Sequence, residues 1–312
     1  MEIILYLGAE VGAQAAEEVV AGRAEVRRIP AESEDVQKHI KTCGALLDAS
    51  MKVRITDQMV ASATGLKIIS CATTGSDHIE RKELDSRGIP VRTLREDREL
   101  LLNLTPAAEL SWALLLACAR KLPAAVKHVV SGDWNRELFP GIMLNGRRIG
   151  IIGCGRIGTW MSRYARAFGM DIVGYDPLIS EYPPGIRPVS LEELARTSDF
   201  ITVHVPLTED TTGLFSKNHC EMVKPGAILI NTSRGAIVDE AALLTALETK
   251  QMGAAGLDVL VDEPDIQKSP LYLYAQAHDN LLITPHCGGF SPDAVKVVCR
   301  RAAEKIVEFL DL

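Results

Sequence analysis

The chain has 312 residues, of which 47% are hydrophobic and 24% are charged, and its formal net charge is −7 at pH 7. This composition is ordinary for a globular protein and excludes a disordered or low-complexity chain. The length suits two α/β domains better than one. The basic residues are scattered among carboxylates, which argues against a nucleic acid as partner because such binding normally requires a basic surface.

The seven cysteines are an odd number and include no C-x-x-C pair. A disulfide framework would need an even set and a zinc knuckle would need paired spacings, so neither is expected. We therefore predict no metal site and a reducing, cytoplasmic location.

The first part of the chain alternates short apolar runs with helical patterns. We predict a helix at residues 11–22 and strands at residues 3–7, 25–29, 45–47, 67–70 and 90–92. Strands that are separated by helices imply a parallel sheet.

A nearly apolar segment follows at residues 101–122. Thr105 and Pro106 suit the N-cap and the first position of a helix, and the sequence ELSWALLLACA predicts a helix that is buried on most sides. We place this helix at a domain junction or in a subunit interface. Its most apolar part, residues 110–119, is about half of the roughly 20 residues that a membrane span requires, so no membrane partner is expected.

A second alternating series begins at Arg148. Its predicted strands are residues 148–152, 171–175, 200–205, 227–231, 254–259 and 280–284. Its predicted helices are residues 156–168, 191–197, 239–249 and 292–310. These strands are nearly all apolar, as expected when helices cover both faces of a parallel sheet.

The run GCGRIG at residues 153–158 is a G-x-G-x-x-G sequence between a predicted strand and a predicted helix. In a dinucleotide-binding turn, Gly153 forms the tight bend and Gly155 lets the backbone approach the pyrophosphate. Gly158 lets the helix and the strand pack closely. The N-terminus of the helix then offers its N–H groups to the phosphates.

An acidic residue closes the next predicted strand, as a dinucleotide site requires. This residue, Asp176, would bind the adenine ribose hydroxyls and repel a 2′-phosphate, which favours NAD over NADP. The alternative role for Asp176 is to cap the turn before Pro177.

Several polar residues directly follow predicted strands. They therefore share the carboxyl edge of the sheet, where open α/β sheets bind ligands. These residues are His204, Pro206, Thr232, Ser233, Arg234, Asp258, Glu263 and His286.

Three of these residues suit hydride transfer to a 2-keto acid. Arg234 can bind a carboxylate bidentately and polarise the ketone, and His286 can deliver a proton to the developing oxyanion. Glu263 beside that histidine would favour the imidazolium form, although the spacing does not show a contact. Each has a structural alternative: a surface ion pair, a solvated loop acid or a hydrogen-bonded structural histidine. For His204 the structural role is the simpler explanation.

Five ordered motifs, GCGRIG, HVPLTEDTTG, INTSRGAIVDE, GLDVLVDEP and TPHCGG, resemble the D-isomer-specific 2-hydroxyacid dehydrogenases over essentially the whole chain. The resemblance implies two doubly wound parallel-sheet α/β domains with the active site in the cleft between them. A Rossmann NAD-binding domain at residues 102–286 would be inserted in a flavodoxin-like substrate domain made of residues 1–101 and 287–312. It also implies D-isomer substrates and a homodimer that forms through the cofactor domain, which would suit the apolar helix.

The resemblance implies that Arg234 anchors the substrate, that Glu263 is the partner of His286, and that His286 is the acid/base. The sequence ATTGSDHI at residues 72–79 resembles the family's substrate loop, whose backbone N–H groups bind the carboxylate. The substrate-binding residues implied in this way are Thr74, Gly75, Ser76, Arg234 and His286.

The resemblance also implies a set of NAD contacts, in which Asp258 would hold the nicotinamide carboxamide. This set comprises Thr74, Gly153, Gly155, Arg156, Ile157, Gly158, Asp176, His204, Val205, Pro206, Thr232, Ser233, Arg234, Asp258, His286, Gly288 and Gly289.

The sequence departs from the family pattern after the fifth predicted strand, where LREDRELLLNL replaces a Gly/Asn-rich hinge. Glu80 replaces the usual Asp, and FSP at residues 290–292 replaces a smaller segment. These departures leave the substrate open between 3-phosphoglycerate and hydroxypyruvate- or glyoxylate-like acids. Arg95 or Arg98 could bind a second anionic group such as a phosphate, and the alternative is a solvated charged loop.

Other functions share this fold. A non-catalytic NAD(H)-sensing protein, like some transcriptional corepressors, would bind the cofactor and turn over slowly. A formate-type dehydrogenase needs no proton donor, which argues against it here, and a phosphite-type dehydrogenase remains a further alternative.

Overall fold

The computed structural model describes every residue from Met1 to Leu312. Its internal contacts divide the chain into two compact units. Unit 1 comprises Met1–Leu104 and Gly289–Leu312, and unit 2 comprises Thr105–Gly288, so unit 2 is inserted in the sequence of unit 1.

Each unit contains one fully parallel sheet. The five strands of unit 1 are β1 (Glu2–Leu7), β2 (Ala24–Ile29), β3 (Ala45–Asp48), β4 (Ile68–Cys71) and β5 (Val91–Arg92). The seven strands of unit 2 are β6 (Arg148–Ile152), β7 (Asp171–Tyr175), β8 (Arg187–Pro188), β9 (Phe200–Val203), β10 (Ala227–Asn231), β11 (Met252–Leu257) and β12 (Leu281–Ile283).

The helices connect these strands. They are α1 (Glu10–Val20), α2 (Ser33–His39), α3 (Asp57–Ser62), α4 (Lys82–Ser86), α5 (Arg98–Leu102), α6 (Pro106–Ala119), α7 (Leu122–Val130), α8 (Arg156–Ala167), α9 (Leu191–Thr197), α10 (Lys217–Met222), α11 (Glu240–Glu248), α12 (Pro270–Ala277) and α13 (Pro292–Leu310).

The sheet of unit 1 has the strand order β2-β1-β3-β4-β5, which is the flavodoxin-like order. Helices α1 and α13 cover one face of this sheet, and α2, α3 and α4 cover the other. Because both faces are covered, the strands are apolar on both sides, and all of β3 and β4 is buried.

The sheet of unit 2 has the strand order β12-β11-β10-β9-β6-β7-β8, which is the Rossmann order with one further strand at the β12 edge. Helices α6 and α8 pack on one face, while α9 to α12 pack on the other. The reversal of strand order falls between β6 and β9, and open α/β sheets bind ligands outside the carboxyl ends of the strands at such a point.

Helix α6 belongs to the core of unit 2. It packs against α8, β10 and β11, and it buries Trp112, Leu115 and Cys118 among other residues. This packing accounts for an apolar helix without a subunit interface. By length and composition the segment Arg98–Ala119 could cross a membrane, but the structure divides it into α5 and α6.

Several local expectations are corrected by the structure. Thr105 occupies the N-cap of α6 and Pro106 follows in its first turn, as expected, but the Thr105 side chain accepts no hydrogen bond from the helix and its hydroxyl donates to the carboxylate of Glu109. Strand β9 ends at Val203 rather than at residue 205, and β11 ends at Leu257 rather than at residue 259. The residues that follow these strands therefore lie in loops. The sequence analysis did not predict β8 or the helices α7, α10 and α12.

Candidate active site

Three adjacent strands of unit 2 end beside one another. Strands β10, β11 and β12 are neighbours in the parallel sheet, so their carboxyl ends lie at the same edge. Arg234 follows β10, Glu263 follows β11 and His286 follows β12. The sheet therefore brings the predicted catalytic residues to one edge of one unit.

Glu263 and His286 are in direct contact. His286 Nδ1 lies 2.8 Å from Glu263 Oε1, and both side chains are about one-third exposed, at 33% and 31%. Since a carboxylate only accepts hydrogen bonds, Nδ1 carries the proton in this contact. The Nε2 atom is then the ring nitrogen that remains for a substrate. Glu263 is itself braced, because its Oε2 accepts the N–H of Leu260 at 3.4 Å.

A buried carboxylate holds the loop that carries His286. Asp258, which is 1% exposed, accepts the Thr284 hydroxyl at 2.5 Å and the N–H groups of Cys287 at 2.9 Å and Gly288 at 2.7 Å. His286 has a φ of 51°, in the left-handed region that non-glycine residues rarely adopt. The contacts of Asp258 on both sides of His286 stabilise this conformation.

The turn after β10, which carries Arg234, is also held by hydrogen bonds to a buried side chain. Asn231, 1% exposed, accepts the N–H and hydroxyl of Ser233 at 3.0 and 2.7 Å, and its amide donates to the carbonyl of Arg234 at 2.9 Å. The next residue, Gly235, lies against the loop after β11: a Cβ there would come within 2.3 Å of the Leu260 carbonyl carbon. Glycine therefore allows the arginine turn to approach the loop that carries Glu263.

The glycine loop has the shape that a dinucleotide requires. Gly153 has a φ of 88°, and a Cβ on Gly158 would come within 2.2 Å of the Gly153 carbonyl oxygen. A Cβ on Gly155 would meet no atom within 4 Å, so the backbone is open on that side. Helix α8 begins at Arg156 with no side-chain cap, and its first N–H groups have no partner within the helix.

Asp176 lies beside this loop at the end of β7. Its Oδ2 accepts the N–H of Cys154 at 2.9 Å, and its Oδ1 accepts the N–H of Leu178 at 3.1 Å. Asp176 thus braces the glycine loop and caps the following turn. A carboxylate has lone pairs beyond these two contacts, so ribose hydroxyls can still be bound. The glycine loop, the uncapped helix and this carboxylate together fit NAD.

His204 follows β9 and lies against the glycine loop. Its N–H donates to the Ile152 carbonyl at 2.7 Å, and a Cβ on Gly153 would come within 2.8 Å of its backbone. Burial lowers the pKa of His204 to about 3, and both ring nitrogens are enclosed without a hydrogen-bond partner. His204 is therefore neutral at pH 7 and unsuited to deliver protons. Val205 and Pro206 continue the chain along the same edge.

The other residues predicted to contact the cofactor or the substrate lie partly in unit 2 and partly in unit 1. Thr232 is buried and shares a hydrogen bond of 2.6 Å with Ser111 of α6. Thr74, Gly75 and Ser76 belong to unit 1, in the loop that follows β4, and Gly289 is the first residue of the C-terminal part of unit 1.

The sequence analysis missed residues that hold the site together. Asn231 was predicted only as the last residue of a strand, although an asparagine before a turn often bonds the backbone two residues on. Thr284 was likewise predicted as part of a strand, and nothing in the neighbouring sequence predicts its contact with Asp258. The neighbouring sequence does not predict the contact of Ser111 with Thr232 either, because Ser111 lies within an apolar helix.

Comparison with known proteins identifies the family. Residues 112–288 match the family model described as D-isomer specific 2-hydroxyacid dehydrogenase, NAD binding domain. The match covers more than half of the chain, which therefore belongs to the D-isomer-specific 2-hydroxyacid dehydrogenases and carries their NAD-binding domain. The predicted family, the pair of doubly wound domains and the NAD cofactor are confirmed.

Individual relatives agree with this assignment. The D-3-phosphoglycerate dehydrogenase of Rattus norvegicus is 35% identical over 283 residues, which are 89% of this chain and 50% of that protein. The enzyme of that name from Archaeoglobus fulgidus is 38% identical over 259 residues, 82% of this chain and 47% of that protein. The chain thus spans about half the length of these curated relatives. A crystal structure of a Thermus thermophilus protein has a TM-score of 0.86 at 30% identity and covers 99% of this chain and 97% of that one.

Proposed function

We propose that this chain is an NAD-dependent oxidoreductase that interconverts a small 2-hydroxy acid and the corresponding 2-keto acid. The observation that carries the proposal is the His286–Glu263 contact of 2.8 Å at the carboxyl edge of the NAD-binding unit. A proton donor with a carboxylate partner is what the reduction of a ketone needs at the carbonyl oxygen. The family's printed description, a D-isomer specific dehydrogenase, supports D stereochemistry for the substrate.

When bound, NADH would supply the hydride for the carbonyl carbon, and NAD would take up the hydride in the reverse reaction. His286 delivers the proton from Nε2 to the carbonyl oxygen as negative charge develops there. Glu263 holds Nδ1, which orients the ring and leaves Nε2 as the nitrogen that faces the substrate. In the oxidation of a hydroxy acid, the same nitrogen takes the hydroxyl proton.

Arg234 would bind the substrate carboxylate and polarise the neighbouring carbonyl, because a guanidinium pairs with a planar carboxylate through two hydrogen bonds. In this proposal Thr74, Gly75 and Ser76 bind the same carboxylate through backbone N–H groups. Asp258 would accept the nicotinamide carboxamide, since its Oδ2 accepts only the Gly288 N–H within the loop and has lone pairs left.

The remaining cofactor contacts are proposed from the glycine loop and the adjacent strand ends. Helix α8 would place its first N–H groups on the pyrophosphate, and Asp176 would bind the adenine ribose. Within the same site we assign the cofactor contacts at Arg156, Ile157, His204, Val205, Pro206, Thr232, Ser233 and the segment 286–289.

The test is the oxidation of NADH, followed by its absorbance, against glyoxylate, hydroxypyruvate, pyruvate, 2-oxoglutarate and phosphohydroxypyruvate. We expect turnover with at least one of these acids, and its loss in His286→Ala while NADH binding persists. Binding of NADH without turnover on any acid would contradict the proposal and favour the NAD(H)-sensing alternative. Turnover of phosphite in place of a 2-keto acid would favour the phosphite-type enzyme.

The same panel addresses the second anionic group. Arg95 lies after β5 and Arg98 begins α5, and both are exposed. A phosphate contact predicts that Arg95→Ala or Arg98→Ala raises the KM for phosphohydroxypyruvate and leaves that for hydroxypyruvate unchanged. A KM for phosphohydroxypyruvate that neither variant changes would assign these arginines to a solvated loop.

We also propose that the chain forms a homodimer through unit 2, using an apolar patch on and after α7. This helix buries none of its residues. Exposed large apolar groups at this density mark interaction surfaces. The patch comprises Leu122, Val126, Val129, Val130, Trp134, Leu138 and Met143, all at least 50% exposed. In this proposal the patch forms the subunit interface instead of α6, because the apolar residues of α6 pack in the core of unit 2.

Sedimentation of Val126→Glu and Val130→Glu tests the dimer, because a buried charge at either position would break an apolar interface. The matched control is Leu178→Glu, which also places a charge on an exposed leucine of unit 2 outside the patch. We expect the control to sediment as the unmodified protein does and the two patch variants to sediment as monomers. If all three variants sediment as the unmodified protein does, the patch is not the subunit interface.

A cytoplasmic location remains part of the proposal. All seven cysteines are free, and six of them are buried. Unpaired thiols suit a reducing compartment, in which disulfides do not persist.

A further inference from the structure

Unit 1 contains a second carboxylate–histidine pair, far along the sequence from the first. Asp48 is the last residue of β3 and is 0% exposed. Its Oδ2 lies 2.7 Å from Nε2 of His78, whose side chain is 11% exposed. A carboxylate without solvent contact destabilises the fold unless it is hydrogen-bonded. The contacts that Asp48 makes therefore indicate its role.

Both oxygens of the Asp48 carboxylate accept hydrogen bonds from neighbouring residues. While Oδ2 binds His78, Oδ1 accepts the N–H and the hydroxyl of Ser50, each at 2.8 Å, and the N–H of Met51 at 3.2 Å. Met51 has a φ of 54°, a left-handed conformation that this turn imposes on a non-glycine residue. Asp48 therefore joins the loop after β3 to the loop after β4.

Asp48 also closes the loop after β4 at both ends. Its backbone carbonyl accepts the N–H of Ala72 at 2.8 Å, at the start of the loop. Its side chain holds His78, at the end of the loop. The carbonyl of His78 in turn accepts the N–H of Ile55 at 3.0 Å. Residues 72–78 are thus clamped between two contacts with a single residue.

The centre of this clamped loop is the proposed substrate segment. The hydroxyl of Thr73 donates to the Gly75 carbonyl at 2.7 Å, and Ile79 donates to the Ser76 carbonyl at 3.1 Å. These contacts use carbonyl oxygens. The N–H groups of residues 74–76 donate none of the hydrogen bonds that hold the loop. A loop whose carbonyls are engaged and whose N–H groups are left over is suited to bind an anion.

We propose that Asp48 and His78 are a positioning pair that fixes the loop of residues 72–78 with its N–H groups arranged for the substrate carboxylate. The inference rests on the proposed function, in which Thr74, Gly75 and Ser76 bind that carboxylate. The pair touches neither substrate nor cofactor in this scheme. It acts by removing the loop's alternative conformations before substrate binds, which increases affinity without new contacts.

Replacements of His78 and Asp48 separate this role from a general effect on folding. His78→Leu keeps the volume and removes the donor, while His78→Gln keeps an N–H at a similar reach. Asp48→Asn keeps an acceptor for Ser50 and Met51 and loses the charge opposite His78. The control is His39→Leu, which replaces another partly buried histidine of unit 1 whose ring lies outside this pair.

Five quantities are measured for each variant: kcat and KM for the best 2-keto acid, the Kd of NADH, the melting temperature, and hydrogen exchange at the amides of residues 74–76. We expect His78→Leu to raise KM about 10-fold, as the loss of roughly one pre-organised contact would. In that variant kcat and the Kd of NADH should stay within a factor of about 3, and exchange in the loop should accelerate. His78→Gln should restore KM, and His39→Leu should change none of these quantities.

Two results would overturn the proposal. One is an unchanged KM and unchanged exchange in His78→Leu. The other is a joint decline of kcat, NADH affinity and melting temperature that His78→Gln does not rescue, because this would mark a merely structural pair. If His78→Leu does not fold, the same comparison is made with Asp48→Asn, against the same expectations.

A failure of the proposed function would be distinguishable from a failure of this inference. If no 2-keto acid is turned over, oxamate replaces the substrate, since it carries a carboxylate beside a carbonyl and cannot be reduced in the same way. Weaker oxamate binding and faster loop exchange in His78→Leu would support the positioning pair without any turnover. Unchanged oxamate binding and exchange would overturn it.

Discussion

Glu263 and His286 lie 23 residues apart in the sequence, and their side chains meet at 2.8 Å because β11 and β12 end side by side in a parallel sheet. The carboxylate accepts the Nδ1 proton and so fixes the orientation of the His286 ring. Replacing Glu263 by Gln should therefore lower kcat for ketone reduction by about 10- to 100-fold, because a hydrogen bond to a neutral amide is weaker than one to a carboxylate.

The control for this prediction is Asp262→Asn, which removes a neighbouring exposed charge and leaves the contact with His286 intact. The kcat for ketone reduction is compared for the two variants and the unmodified enzyme. A kcat of Glu263→Gln that equals that of Asp262→Asn would show that the contact has no part in proton transfer.

Two glycines of the same loop should respond in opposite ways to alanine. A Cβ on Gly155 meets no atom within 4 Å, whereas a Cβ on Gly158 comes within 2.2 Å of the Gly153 carbonyl oxygen. We expect Gly155→Ala to keep its melting temperature and to weaken NADH binding at least 10-fold, because the methyl group occupies the space proposed for the pyrophosphate. Gly158→Ala should instead lower the melting temperature by several degrees, since the helix must move away from the strand.

Calorimetric melting and NADH titration of both variants check this contrast. Equal NADH affinity in Gly155→Ala and the unmodified protein would contradict the assignment of the glycine loop to the pyrophosphate.

Asp176 should determine the choice between NADH and NADPH. Its carboxylate would repel a 2′-phosphate, so Asp176→Asn should reduce the preference for NADH, measured as the ratio of kcat/KM for the two cofactors, by about 10-fold or more. The asparagine oxygen can still accept the N–H of Cys154, so the glycine loop should keep its conformation. The control is Asp171→Asn at the exposed start of β7. An unchanged ratio in Asp176→Asn would place the ribose elsewhere.

The buried ring of His204 should make unit 2 sensitive to acid. Burial lowers the pKa of His204 to about 3, below the value near 6.5 of an unfolded histidine. The folded state therefore binds fewer protons than the unfolded state between these values. Stability from this group is complete above pH 6.5 and falls as the pH decreases towards 3, by up to about 1.4 kcal/mol per pH unit.

Replacing His204 by Leu removes this titration, so the free energy of unfolding should depend less steeply on pH between about 6.5 and 4. Denaturant unfolding at a series of pH values measures the slope. Exposed His278 replaced by Leu serves as the control and should keep the original slope. Equal slopes for the two variants would mean that the His204 ring is protonated in the folded protein.

Asp97 should give unit 1 a different acid response. Burial alone would raise the pKa of Asp97, but hydrogen bonds from Lys305 and Arg301 outweigh it, so this pKa lies below its usual value. The stability from this carboxylate is thus present above the unfolded pKa near 3.9 and is lost as the pH falls through the lower, folded value. Asp97→Asn should cost about 3 kcal/mol at pH 7 because it leaves buried Lys305 without its counter-ion.

Unfolding of Asp97→Asn at pH 7 and near pH 3 tests this sign, since the difference from the unmodified protein should shrink in acid. Glu304→Gln is the control, because it also loses a contact with Arg301 but at a position where the side chain is 40% exposed. A constant difference at both pH values would show that Asp97 is not ionised when the protein is folded.

Much of the site could be predicted from local sequence. The glycine run, Asp176 at the end of β7 and Arg234 after β10 each stand next to the strand that places them, so position in the chain predicts position at the sheet edge. Asn231 carries a local signal, because an asparagine before a turn often bonds the backbone two residues on. Thr284 carries none, because its partner Asp258 follows another strand and only the sheet brings the two together.

The sequence by itself determined what alternates along the chain: apolar strands, amphipathic helices and the polar residues that follow each strand. These features are local, because the periodicity of a segment and the glycines of a turn specify conformation without distant contacts. Only the tertiary structure decided which residues touch. The contacts of Glu263 with His286, of Asp258 with the His286 loop and of Asp48 with His78 join segments separated by many residues, and the strand order that unites them arises from packing both faces of each sheet.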